Sequence, residues 1–111
     1  GVLNCSVLDG WWREGYNGSN GWAIGQDIDY IDPEQQDEDD TLSLYETLEQ
    51  EIVPLYYQIR SSDNLPGEWI ARMKESIRTL APQFSTRRMV KEYMENMYLP
   101  ALKNSSGLNR L

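Results

Sequence analysis

Val2-Leu3-Asn4-Cys5-Ser6-Val7-Leu8 is a run of apolar and small residues closed by the turn pair Asp9-Gly10, and it reads as a β-strand. No strand of comparable strength follows; the brief Gly21-Trp22-Ala23-Ile24 is the nearest candidate. One strand cannot satisfy its own backbone N–H and C=O groups. The chain is therefore expected to be the end of a larger protein whose remaining sheet supplies the partners. Gly1 runs straight into the strand with no polar arm before it, which fits the same expectation. An open strand edge also predicts self-association of the isolated chain through Val2 to Leu8.

At 111 residues the chain fits one small unit with a modest core. From Gly10 to Gly25 several glycines are interleaved with Trp11, Trp12, Tyr16 and Trp22. Glycine permits tight backbone turns and the rings bring large apolar faces, so this stretch is expected to be an ordered loop. The rings have two readings. They anchor the loop on a core, which the composition favours, or Trp11, Trp12 and Trp22 face solvent and stack on a sugar, with Asp9, Glu14 and Asn17 accepting hydroxyl donors.

The net charge is −8, and its distribution explains it. Asp27, Asp29, Asp32, Glu34, Asp37, Glu38, Asp39 and Asp40 crowd one segment without a basic residue, and the remaining acids balance the ten Lys and Arg. The rest of the chain thus offers no basic face for a phosphate backbone, and nucleic acid is not an expected partner. The acidic run lacks the central Gly and terminal Glu of an EF-hand loop, so it is expected to be a solvated loop over 27–40 and not a metal site.

Three helices are expected between residues 41 and 101. The first is capped by Asp39, Asp40 or Thr41, buries Leu42, Tyr45, Leu48, Ile52 and Leu55, and ends or kinks at Pro54. The second starts at Pro66 and carries Trp69, Ile70, Met73, Ile77 and Leu80 up to Pro82. Ser85 caps the third, whose stripe of Met89, Val90, Tyr93, Met94 and Met97 reads as core more readily than as a partner surface, with Pro100 at its end. A frayed tail over 102–111 follows. The predicted class is α/β but mainly α: one strand and a Gly/Trp-rich loop over 1–26, the acidic loop, the helices and the tail, all as one partial domain.

Much chemistry is excluded. Without histidine there is no Ser-His-Asp or Cys-His machinery, and a zinc site would need carboxylates and one thiol. Cys5, the single cysteine, cannot form an internal disulfide; it favours a reducing, cytoplasmic setting and sits in an apolar strand unsuited to a reactive thiolate. The opening stretch is too short for a secretory leader, and no segment is long enough to cross a bilayer. Arg87, Arg88 and Lys91 could grip an anion, although a solvated face is the simpler reading.

The run Leu8-Asp9-Gly10-Trp11-Trp12-Arg13-Glu14-Gly15-Tyr16-Asn17-Gly18-Ser19-Asn20-Gly21-Trp22-Ala23-Ile24-Gly25 resembles the α-glucan phosphorylases, the glycogen, starch and maltodextrin phosphorylase family. Ser76 to Thr86, continued by Met89-Val90-Lys91-Glu92-Tyr93, resembles that family's C-terminal helices in the same order and separation. The Asp-Gly-Trp-Trp form is that of the shorter bacterial and archaeal members, where others have Asp-Gly-Ala-Asn. The likeness covers about residues Gly1 to Ala101; the acidic segment and the tail carry no distinctive match.

Such a resemblance implies the end of the second of two Rossmann-like domains in a GT-B type glycosyltransferase, which would account for the orphan strand. It implies a parent enzyme that cuts glucan with phosphate to give α-glucose 1-phosphate, using pyridoxal phosphate held as a Schiff base on lysine. In the family that lysine lies in a Gly-Met-Lys segment shortly before a Leu-Asn-Gly whose last residue matches Gly1. The cofactor lysine is therefore expected upstream of Gly1, and Lys74, Lys91 and Lys103 lack its motif. No catalytic residue carries over, and this chain alone is expected to be inactive and to bind no cofactor. Asp9, Gly10 and Glu14 match a motif after the strand and are expected to line the cleft. The implied partners are the rest of the phosphorylase chain, α-glucan and phosphate. The contrasting expectations are a non-catalytic carbohydrate-binding module using the Trp-rich loop, or a helical interaction domain using the third helix.

Overall fold

The computed structural model describes residues 1–108 and divides into two units, one from Gly1 to Thr79 and one from Leu80 onward. In the first unit β1 (Asn4–Val7) and β2 (Gly21–Ile24) form a two-stranded parallel sheet in which Asn4 pairs with Gly21 and Val7 with Ile24. The single expected strand thus finds a partner inside the chain. Gly21-Trp22-Ala23-Ile24 lacks alternation because both of its faces are covered or half-covered, so it reads weakly by pattern.

The connection between the strands is not wholly loop. Asp9 leads into the short helix α1 (Gly10–Gly15), and the backbone N–H groups of Trp12 and Arg13 donate to the Asp9 carbonyl. Gly21 is required where the crossover returns to the sheet. A Cβ there would lie 2.6 Å from the Asn4 carbonyl oxygen and 2.6 Å from the Trp12 ring, closer than any side chain tolerates.

The acidic segment departs from the loop expected of it, because α2 (Pro33–Thr47) takes up its second half. Asp32, not Asp39, Asp40 or Thr41, is the N-cap, and its carboxylate accepts from the Glu34 N–H at 3.0 Å. Pro33 at the first helical position loses an N–H that would have no partner there, and Glu34 meets the positive end of the helix. The inward face also differs. Leu42 and Tyr45 are exposed, whereas Leu44, Leu48, Ile52 and Leu55 are half-buried and the Ser43 hydroxyl accepts from the Gly25 N–H at 2.8 Å.

Neither Pro54 nor Pro100 ends its helix. A π-helical turn at Leu48–Ile52 precedes Pro54, and a second, Pro54–Gln58, follows it. In the second unit α4 (Thr86–Tyr93) passes through a π turn at Met94–Tyr98 into α5 (Leu99–Leu108). A proline ring crowds the carbonyl one turn earlier and offers no N–H. Widening that turn, so that Val53 N–H bonds to the Leu48 carbonyl and Leu99 N–H to the Met94 carbonyl, lets the helix run on. Most of the residues expected as a frayed tail are therefore helical, and residues 109–111 of that expectation lie outside the described part. Ser85 caps α4 as expected, its hydroxyl accepting from the Arg88 N–H at 3.3 Å. α3 (Gly67–Gln83) starts after Pro66 and includes Pro82.

The core of the first unit is small and aromatic: Trp12 is 1% exposed and Trp22 4%. Trp22 packs against Trp69 at 5.4 Å between ring centroids, and Tyr56 meets Trp69 edge-on at 5.2 Å. The stripe Met89, Val90, Tyr93, Met94 and Met97, expected as core, is exposed throughout. Helical spacing marks an apolar face, but it does not supply the surface that covers it. No helix of the described residues is long and apolar enough to cross a membrane.

Candidate functional site

β1 ends at Val7, and the chain turns at Asp9-Gly10 into α1 at the carboxyl end of the strand. Gly10 has φ +48°, a left-handed backbone that explains glycine at this corner. Asp9, Gly10 and Glu14 are all exposed around this turn, and the Asp9 side chain makes no capping hydrogen bond. The three residues expected to line a cleft therefore share one short segment at one end of the sheet.

Buried groups behind that segment hold it still. The Trp12 indole Nε1–H donates to the Trp22 carbonyl at 3.1 Å, tying α1 to β2. Asn20 is completely buried, and its amide nitrogen donates to the Gly15 carbonyl at 2.7 Å and to the Thr79 hydroxyl at 3.0 Å. Its amide oxygen accepts from the Asn17 N–H at 3.1 Å, and the Thr79 hydroxyl donates in turn to the Glu75 carbonyl at 2.8 Å. A buried amide satisfied on both sides fixes geometry, since any displacement strands a polar group away from water. Arg72 adds a clamp: its guanidinium donates to the Gly21 carbonyl at 2.7 Å and lies 4.7 Å over the Trp22 ring. Sequence reasoning missed Asn20, Thr79 and Arg72. The only signal was an Asn among glycines, which reads equally well as a turn residue.

The aromatic residues separate. Trp12 and Trp22 are core and present no open ring face, which removes them as sugar platforms and supports the anchoring reading. Trp11 is 50% exposed, with its ring 5.2 Å from that of Trp12. A single half-open ring is not the platform of three that the module reading requires. Asn17 is also committed, since its amide oxygen accepts from the Ser19 N–H at 2.9 Å and its nitrogen donates to Glu75 at 3.0 Å.

Other titratable groups have plain physical causes. Glu75 is held below the usual carboxylate range, chiefly by the hydrogen bond from Arg78 and further by that from Asn17. Burial, reinforced by the nearby charge of Glu51, pushes the Cys5 thiol up, as expected of an inert thiol. Asp27 pairs with Arg13, and no group of three His, Cys, Asp or Glu able to hold a metal occurs among the described residues. Arg88 pairs with Glu92 at 2.8 Å and Lys91 lies 3.9 Å from Glu95, so two of the three suggested anion-gripping cations are matched on their own helix. Lys74, Lys91 and Lys103 are exposed on helices.

The parallel strand–helix–strand unit, with its exposed turn at the strand's carboxyl end, belongs to the α/β class. The chain is 51% identical over 99% of its length to the maltodextrin phosphorylase of Thermococcus litoralis. It is 47% identical over 93% of its length to the glycogen phosphorylase of Aquifex aeolicus, and 36% over 94% to that of Mycobacterium tuberculosis. It spans only 12–14% of the length of these relatives. No protein-family model matches it, and no solved structure does. Sequence identity sustained along almost the entire chain places it in the α-glucan phosphorylase family, as a C-terminal portion of such a protein.

Proposed function

We propose that this chain completes the second Rossmann-like domain of a GT-B type α-1,4-glucan phosphorylase. The parent cleaves glucan with phosphate, giving α-glucose 1-phosphate and a shortened chain, and it uses pyridoxal phosphate on a lysine outside this chain. The observation that carries the reading is the sustained identity to maltodextrin and glycogen phosphorylases. The cofactor's phosphate supplies the proton exchange in such a reaction. The residues of this chain contribute shape and position.

Within that reading, Asp9, Gly10 and Glu14 line the interdomain cleft, because ligands of open α/β sheets bind outside the carboxyl ends of the strands. Their exposure and the buried network behind them support this role. The outer edge of β1 and the apolar stripe from Met89 to Met97 are covered by the rest of the phosphorylase chain. Where that chain is missing, the β1 edge and exposed Val2 draw two copies together, and a monodisperse monomer by light scattering would refute this. The single cysteine, Cys5, favours a reducing, cytoplasmic setting for that parent.

The test is phosphorolysis by the intact parent carrying Asp9→Asn or Glu14→Gln. A fall in kcat/KM for glucan or phosphate with an unchanged Tm supports a cleft position. Unchanged kinetics for both variants overturns it.

A further inference from the structure

The loop that returns to β2 contains two Asn-Gly dipeptides, Asn17-Gly18 and Asn20-Gly21, three residues apart. Asn-Gly is chemically fragile, because glycine has no side chain to keep its backbone nitrogen from reaching the asparagine amide carbon. The two sites face opposite environments. Asn20 is completely buried with both ends of its amide engaged, and Gly21 is wedged between the Asn4 carbonyl and the Trp12 ring. Asn17, Gly18 and Ser19 are exposed, and what holds the Asn17 amide is the Ser19 N–H at 2.9 Å and the Glu75 carboxylate at 3.0 Å. Glu75 is itself fixed by Arg78 through two hydrogen bonds of 2.9 and 2.6 Å.

We propose that Asn17 is a deamidation site restrained by Glu75, and that Asn20, in the same Asn-Gly dipeptide, is inert. The reaction is balanced with water alone. The Gly18 backbone nitrogen loses its proton and bonds to Asn17 Cγ; the Cγ–Nδ2 bond breaks, and ammonia departs. Water then opens the succinimide at either carbonyl, leaving aspartate or isoaspartate at position 17. Ring closure requires the Asn17 amide to rotate away from Glu75 and from the Ser19 N–H, so the Glu75 contact keeps the unreactive rotamer populated. The consequence is directional. Aspartate or isoaspartate sets a carboxylate where the amide had donated to Glu75, and like charges then push the loop away from α3. The tie is lost once and does not reform.

The test ages the intact protein at mildly alkaline pH and measures the acid product at each asparagine by peptide mass spectrometry. Wild type, Glu75→Ala and wild type in urea are compared. The expected result is slow conversion at Asn17 in the wild type, severalfold faster conversion at Asn17 in Glu75→Ala, and conversion at both asparagines only in urea. Equal Asn17 rates in wild type and Glu75→Ala overturn the proposal, as does conversion of Asn20 in the folded protein at the rate of Asn17. If circular dichroism shows Glu75→Ala to be unfolded, Arg78→Met replaces it and is read by the same criteria, since it leaves Glu75 in place but frees it to move.

Discussion

The strand–helix–strand region at the start of the chain and the long helix from Thr86 to Leu108 carry comparable apolar patterns with opposite outcomes. In the first, two tryptophans, an asparagine and a glycine close on one another, and Trp12 and Asn20 are fully buried. In the second, Met89, Val90, Tyr93, Met94 and Met97 form as regular a stripe, and every one is exposed. A stripe records which face is meant to be covered. Whether it is covered depends on a partner surface, which the first region folds for itself and the helix does not.

The sharpest way to break this comparison is Trp12→Ala. Removing a buried ring and its hydrogen bond to the Trp22 carbonyl should cost roughly 3–5 kcal/mol, read as a lowered urea midpoint. Met94→Ala on the exposed stripe should stay within about 0.5 kcal/mol in this chain. A loss at Met94 as large as that at Trp12 would show the stripe to be covered after all. Next comes Asn20→Ala, which leaves the Asn17 N–H, the Gly15 carbonyl and the Thr79 hydroxyl short of a partner and should cost about 1–3 kcal/mol by the same measurement. Gly21→Ala forces a methyl against the Asn4 carbonyl and the Trp12 ring, with an expected loss of about 1–3 kcal/mol.

The smallest effect concerns the surface tie. Glu75 has its carboxyl pKa depressed in the folded chain, so its contribution is present above the unfolded carboxylate pKa and disappears as pH falls through the lower folded value. Glu75→Gln should therefore lower Tm slightly at neutral pH and leave it unchanged in strong acid. A difference that persists unchanged into acid would mean that the charge of Glu75 is not what matters.

Family membership was legible from the run Leu8 to Gly25 and the helix segment after Ser76, because long contiguous matches need no geometry. β1, the start of α3 and the Ser85 cap were also readable, each from a local rule about turn, proline or hydroxyl chemistry. The rest failed where a local rule met a neighbour. Asp32-Pro33 starts α2 inside a charge run that composition alone assigns to loop. Pro100 was read as a stop, and Pro54 as a stop or a kink, because the rule presumes an α turn, and a π turn relieves the clash. β2 read only weakly because a short covered strand has no alternation to show.

Residue order by itself determined that the Asp9-Gly10 corner follows a strand, that the acidic excess is confined to one segment, and which family the chain joins. These depend on chain-local sterics and on contiguous identity. Only the tertiary structure decided that the orphan strand pairs with Gly21–Ile24, that Trp12 and Trp22 are core and not sugar platforms, and that the helix stripe lies open. Burial is a property of two surfaces meeting, and a linear pattern specifies only one of them.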